Sequence, residues 1–175
     1  MIEKPKVVVT WDLDDVIVDG TVYWLINHYK KLYRFDVDPA DFYGQPRDWG
    51  VESWEESNAR MQPIFDQYGH QLTVPSPEAV DTIHALARYE HINIEQHIVT
   101  GRSEDSMSVH TQKLVDEYFD KDCFKGVHHT NMYHGNRVSK GEVCRKLGAL
   151  VHIDDHIPHC ESVLDEGTPN AIVYG

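Results

Sequence analysis

Five short apolar runs, each separated from the next by helical spacing, constrain this chain more than any other feature. They are Val7–Trp11, His97–Thr100, Phe124–His128, Leu150–Ile153 and Ala171–Tyr174. Each is too short for a helix and several are rich in β-branched residues, so each reads as a strand. Ser76-Pro77 reads as an N-cap followed by proline at the first helical position, opening a helix through Val80, Ile83 and Ala87. Ser103 opens a second helical pattern through Met107, Leu114 and Tyr118. Ser139 opens a third through Val143, Cys144 and Leu147, ended by Gly148, and Pro158 a last one ending near Gly167. This alternation predicts an α/β fold, a parallel sheet of about five strands covered on both faces. In such sheets ligands bind beyond the carboxyl ends of the strands, so chemistry is sought just after each one.

One stretch breaks the alternation. Residues 19–74 separate the first strand from the next helix-strand unit and carry helical patterns of their own. Trp24, Leu25, His28, Tyr29 and Leu32 fall at helical spacing, and a second helix is expected from about Glu52 to Tyr68. Pro39–Gly50, rich in Pro, Gly and aromatics, reads as loop. The expectation is a small helical insertion, 19–74, over a core made of 1–18 and 75–175. A long crossover is the plainer reading, though long unstructured connections are uncommon.

Four segments carry candidate chemistry. The first strand ends in Asp12-Leu13-Asp14-Asp15-Val16. Clustered carboxylates repel unless a cation or a shared proton offsets them, and a hard divalent cation does so through oxygen ligands. The second strand ends in Thr100-Gly101-Arg102, a hydroxyl and backbone amides suited to phosphoryl oxygens, though also ordinary turn chemistry. Lys140, in Ser139-Lys140-Gly141-Glu142, stands at a helix start, where the helix dipole disfavours positive charge unless an anion faces it. Ile153-Asp154-Asp155-His156 ends another strand in paired acids, which serve a cation site or a helix cap.

In this order the four segments resemble the motifs of the haloacid dehalogenase-like hydrolase superfamily, over about Lys6–Asp19 and Pro75–Gly175. The resemblance implies a Rossmann-like three-layer sandwich, with the insertion as a C1 cap. It implies that Asp12 attacks phosphorus and carries an aspartyl-phosphate, that Asp14 is acid and then base, and that Thr100 and Lys140 hold the phosphoryl oxygens. Mg²⁺ would be bound by Asp12, the Asp14 backbone carbonyl and Asp154, with Asp155 behind them. Gly101 and Arg102 accompany Thr100, and Arg47 and Trp49 of the cap are further substrate-binding candidates. The segment from Lys140 to His156 resembles the 5′-nucleotidase and deoxyribonucleotidase-like branch, which implies a small nucleoside monophosphate. Other small-metabolite phosphatases, acting on phosphoglycolate or a sugar phosphate, and a silent binding protein of the same fold stay open. Asp15 departs from the pattern by replacing a frequent glycine, and Lys140 lies closer to Asp154 than in many members. Lys125 is the competing lysine, inside an expected strand.

The formal net charge of −13 argues against nucleic acid as partner, and leaves a small phosphate ester open because a bound cation reverses the local field. No apolar run reaches the ~20 residues a membrane span needs. A polar start and an odd three cysteines fit a cytoplasmic protein with inert thiols. His152, His156, His159 and Cys160 invite a zinc reading, but His152 alternates with Ile153 and is expected to point away from Asp154. His128, His129 and His134 are read as loop histidines at the rim. The aromatics Tyr23, Trp24, Phe42, Tyr43, Trp49 and Trp54 either pack the cap or include a stacking platform for a base.

Overall fold

The computed structural model describes residues 4–38, 45–132 and 137–175. The chain runs β1 (Lys6–Trp11), α1 (Thr21–Tyr33), α2 (Trp54–Tyr68), α3 (Pro77–Ala87), β2 (Asn93–Thr100), α4 (Glu104–Tyr118), β3 (Gly126–His129), α5 (Lys140–Leu147), β4 (Val151–Asp154), α6 (Ile157–Asp165) and β5 (Asn170–Val173). The five strands form one parallel sheet in the order β3-β2-β1-β4-β5. With β1 central, both its faces must be covered, which is why it reads as a continuous apolar run.

Strand alternation sorts the core. Val9, Trp11 and Ile98 join Ile83 of α3 and Met107 and Leu114 of α4 on one face. Val8 and Val99 join Cys144 of α5 and Val163 of α6 on the other. Even-numbered β1 residues therefore face α5 and α6. Gly141 lets those two helices approach, since a Cβ there would lie 2.5 Å from the Ser162 carbonyl oxygen. The 19–74 segment builds a separate apolar cluster from Leu25, Ile26, Tyr29, Trp49, Met61 and Ile64.

The helix starts follow the expected chemistry with one exception. The Ser76 and Ser139 hydroxyls accept from the Ala79 and Glu142 amides at 3.2 and 3.0 Å. Ser103 makes no such bond. The Asn131 side chain, from the loop after β3, accepts from the Glu104 amide at 2.8 Å instead. β2 starts at Asn93 rather than His97, because Lys6–Val9 pairs with the polar Asn93–Gln96 stretch and pairing, not apolarity, sets its length. β3 starts at Gly126, so Lys125 precedes the strand, at the opposite end of the sheet from Thr100. Within the expected Pro39–Gly50 loop, Pro46–Trp49 forms one 3₁₀ turn. Phe42, Tyr43 and His134 lie outside the described residues. Cys123, Cys144 and Cys160 are buried free thiols. Among the described residues no helix is long and apolar enough to cross a membrane.

Candidate active site

Three adjacent strands bring the site together. β1, β2 and β4 end side by side, Trp11 pairing with both Ile98 and Ile153, so Asp12, Thr100 and Asp154 share one edge of the sheet. Period-two alternation carries Asp12 to the face already holding Val8 and Thr10, beneath α5. There the Lys140 ammonium, at the start of α5, sits 2.8 Å from Asp12 Oδ1 and 2.7 Å from Asp154 Oδ2. The Asp12 contact is an ion pair without the direction of a full hydrogen bond, whereas Lys140 donates squarely to Asp154. All three side chains are almost wholly buried.

Burial opposes the charge of Lys140, but Asp12 and then Asp154 outweigh it and hold its ammonium above the ordinary lysine range. Burial pushes the Asp12 carboxyl up against the pull of Lys140, with Asp154 and Asp14 adding to the rise. Asp154 goes the other way. Burial alone would raise its carboxyl, but His152, His159 and Lys140 together hold it far below the usual carboxylate range. Its Oδ2 lies 3.0 Å from His152 Nε2, and its Oδ1 accepts from the His156 amide at 2.9 Å and lies 3.3 Å from His159 Nδ1.

His152 thus points at Asp154, not away from it. Residues 152 and 154 are two apart on one strand and share a face. The imidazole is fully buried, with Nδ1 2.9 Å from the Thr10 hydroxyl. Burial disfavours its charge, but the hydrogen bond to Asp154 prevails and its pKa is pushed up to about 9. His156 and His159 stack edge to face, and Cys160 Sγ faces the backbone carbonyls of Asp154 and Ile172.

The loop after β1 turns tightly, with Ile17 and Val18 both donating to the Leu13 carbonyl. Asp15 adopts φ 59°, the left-handed region, which explains why glycine is common at such a place and why aspartate is tolerated. Its carboxylate accepts from the Thr21 and Val22 amides at 2.9 and 3.0 Å and caps α1, whose own N-cap, Gly20, has no side chain. Asp14 is held by Arg102, whose Nε and Nη2 donate to its two oxygens at 2.8 and 2.7 Å. Burial raises the Asp14 carboxyl, but the Arg102 guanidinium outweighs it and the net shift is downward.

The remaining expected residues are placed as follows. Thr100 is fully buried and its hydroxyl accepts from the Arg102 amide at 3.2 Å. Gly101 follows it at the same edge, its carbonyl accepting from the Met132 amide at 3.3 Å. Arg102 turns to Asp14 rather than outward. Trp49 packs at 1% exposure against Tyr29 in the 19–74 cluster, so its ring is not an open stacking platform. Arg47 is exposed on the same turn, 3.6 Å from Asp48. Of the rim histidines, His128 pairs with His97 at 3.2 Å, while His129 Nδ1 lies 3.2 Å from the Arg102 carbonyl. Three functional neighbours escaped the sequence reading. Thr21 follows Gly20 at the start of a helix with nothing to single it out, Leu72 offers only a backbone carbonyl, and His152 lies on the face opposite to the one expected.

A cation fits the acids. Oxygens of Asp12, Asp154 and Asp155 all lie within 4.8 Å of one another, with one ammonium among three carboxylates. Burial first, and then the neighbouring charges of Asp12, Asp154 and Asp15, push the Asp155 carboxyl up to about 7. An all-oxygen set of this kind suits a hard divalent ion such as Mg²⁺.

No family model and no curated protein matches the sequence. Solved structures do match the fold. A haloacid dehalogenase-like family hydrolase from Streptococcus pneumoniae is similar at TM-score 0.69 and 13% identity, over 96% of this chain and 84% of that one. A haloacid dehalogenase-superfamily hydrolase of subfamily IA from Geobacter sulfurreducens is similar at TM-score 0.58 and 14% identity, over 95% and 88%. A family enzyme from Bacteroides thetaiotaomicron, an aspartate-to-alanine mutant in complex with magnesium and inorganic phosphate, is similar at TM-score 0.57 and 12% identity, over 97% and 94%. With its parallel five-stranded sheet, helices on both sides and this likeness across nearly its whole length, the chain has the fold of the haloacid dehalogenase-like hydrolases.

Proposed function

We propose that the protein is a magnesium-dependent phosphomonoester hydrolase that works through an aspartyl-phosphate on Asp12. One observation carries the reading: Asp12, Lys140 and Asp154 meet in a buried, charge-crowded cluster at the carboxyl ends of β1 and β4, with Asp155 beside them. Asp12, Asp154 and Asp155, with the Asp14 backbone carbonyl, would hold Mg²⁺. When bound, the ion offsets the crowding of the acids and the charge of a phosphoryl group.

The protein's own groups divide the remaining work. An Asp12 carboxylate oxygen attacks phosphorus, forming the O–P bond as the ester oxygen leaves with its electron pair. Lys140, locked by two acids, brings a permanent positive charge to the reacting oxygens, and Thr100 offers its hydroxyl at the same edge. Asp14, ionised beside Arg102 in the free protein, takes up a proton as the anionic ester binds, gives it to the leaving oxygen, then takes one from the water that splits the acyl-phosphate, so the cycle ends with the acid reprotonated and phosphate free. The 19–74 segment acts as the cap that keeps bulk water out.

The finer reading is a 5′-nucleotidase acting on a mononucleotide. Its support is the likeness of the Lys140–His156 segment to that branch, with Tyr23 of α1 and Trp54 of α2 the described cap aromatics exposed enough to stack on a base. The test is Mg²⁺-dependent hydrolysis of 4-nitrophenyl phosphate and of a panel of nucleoside monophosphates, sugar phosphates and phosphoglycolate. A nucleotidase favours the nucleotides by kcat/KM. Preference for another ester keeps the chemistry and removes the substrate, and no turnover of any ester removes the enzyme reading.

A further inference from the structure

Arg102 is almost wholly buried, and a buried guanidinium needs partners for its donors. It finds them on three different parts of the chain. Nε and Nη2 grip both oxygens of Asp14, Nη2 also donates to the Leu72 carbonyl at 3.2 Å, and Nη1 reaches the Thr111 hydroxyl of α4 at 3.4 Å. Its backbone is fixed as well, the amide on Thr100 Oγ1 and the carbonyl beside His129. Leu72 lies where the 19–74 segment returns to the core. Thr21, where that segment departs, donates to the same Asp14 oxygen. The Asp14 carboxylate is therefore tied to both connections of the insertion, to the departing one directly through Thr21 and to the returning one through a planar two-pronged cation that a lysine cannot imitate.

We propose that Arg102 is a positioning residue, which aims the Asp14 carboxylate and, with Thr21 holding the other side, fixes it to the returning connection of the helical insertion, and is not a contact for the substrate phosphate. The inference rests on the phosphohydrolase reading above and assigns Arg102 a part in its proton-transfer step. A side chain that aims the acid matters in proportion to how much the leaving oxygen needs a proton. A side chain that grips phosphate matters equally for every ester.

Phenyl phosphate and 4-nitrophenyl phosphate separate the two, being nearly the same size, while phenolate is much the more basic leaving group. In Arg102→Gln, kcat/KM for phenyl phosphate is expected to fall on the order of 100-fold, and for 4-nitrophenyl phosphate by roughly 10-fold less. Inhibition by inorganic phosphate should not change, and Arg102→Lys should not restore the ratio. Thr21→Val, which removes the other tether and leaves the buried guanidinium in place, should shift the ratio in the same direction by less, and Thr21→Ser should return it. Parallel losses on both esters with weaker phosphate inhibition would overturn the proposal, as would an unchanged ratio in a folded Arg102→Gln protein. Should the wild type hydrolyse neither ester, the enzyme reading fails and thermal unfolding judges the clamp alone. Arg102→Gln and Asp14→Asn should then lower Tm non-additively, and additive losses would refute the clamp.

Discussion

The tips of β1 and β4 lie side by side and both end in acids, yet they manage their charge in opposite ways. At β1 the partners are spread out: Asp12 shares Lys140 with Asp154, Asp14 has the Arg102 fork, and Asp15 has the amides at the start of α1. At β4 one carboxylate gathers the partners. Lys140, two histidines and an amide all converge on Asp154, while Asp155 stands against Asp12 and Asp154 with its carboxyl pushed up to about 7. A tip balanced within the protein is built to hold still. A tip left with surplus negative charge is built to take up a cation, and Asp12 links the two.

The strongest test of that contrast is Lys140→Met. It leaves Asp12 and Asp154 facing one another with no cation between them, and should cost about 3–5 kcal/mol in urea unfolding. Mg²⁺ should recover much of the loss. A cost under about 1 kcal/mol, as for an exposed pair, would mean that the lysine does not hold the two tips together.

Next comes the cation itself. With free Mg²⁺ at about 100 times its dissociation constant, the wild type should gain about 2.7 kcal/mol over the chelated protein. Asp155→Asn should shrink that gain, while Asp15→Asn, which removes only a neighbouring charge, should shrink it much less. Equal losses in the two variants would erase the distinction between the tips.

Two groups, one on each tip, should also act at opposite ends of the pH scale in chelated protein, while Asp154, held far below the usual carboxylate range, adds to the acid limb. His152 has its folded pKa raised to about 9, so its contribution to stability is complete below the unfolded value near 6.5 and is lost as pH rises through about 9. The Asp14 carboxyl is lowered by Arg102, so its contribution is complete above the unfolded value near 3.9 and is lost as pH falls through the folded one. His152→Gln should flatten the alkaline limb of a Tm-against-pH curve and, because His152 helps hold Asp154 down, also soften the acid limb, whereas Asp14→Asn should soften the acid limb alone.

The smallest effect belongs to Asp15. Losing a helix cap costs about 1 kcal/mol, so Asp15→Ala should destabilise by about that much. Asp15→Gly should cost less, because glycine relieves the left-handed backbone. If alanine proves the milder change, the cap is not what aspartate contributes there.

Local chemistry was legible in the sequence, and partnership was not. Asp12, Thr100, Lys140 and Asp154 each stand at a strand end or a helix start, where a run of apolar residues or a serine cap announces them. Parallel pairing then brings those ends to one edge. What Arg102 does could not be read, because its partner Asp14 is 88 positions away and a buried arginine looks like a surface one in the sequence. Trp49 was ambiguous for the same reason, since only the packing of α1 and α2 decides whether an aromatic lines a site or fills a core. His152 was legible and misjudged, because residues two apart on a strand share a face. The length of β2 was hidden by polar residues that pair without being buried.

The central claim is that phosphorus becomes bonded to Asp12. The measurement is acid-quenched turnover of a phosphomonoester in Mg²⁺, reduction of the trapped acyl-phosphate with borohydride, and peptide mass spectrometry of the β1 segment. The account predicts conversion of Asp12 to homoserine, dependent on substrate and Mg²⁺ and missing from Asp12→Asn. Steady turnover with Asp12 unmodified, or the label found on Asp14, Asp154 or Asp155, would contradict it.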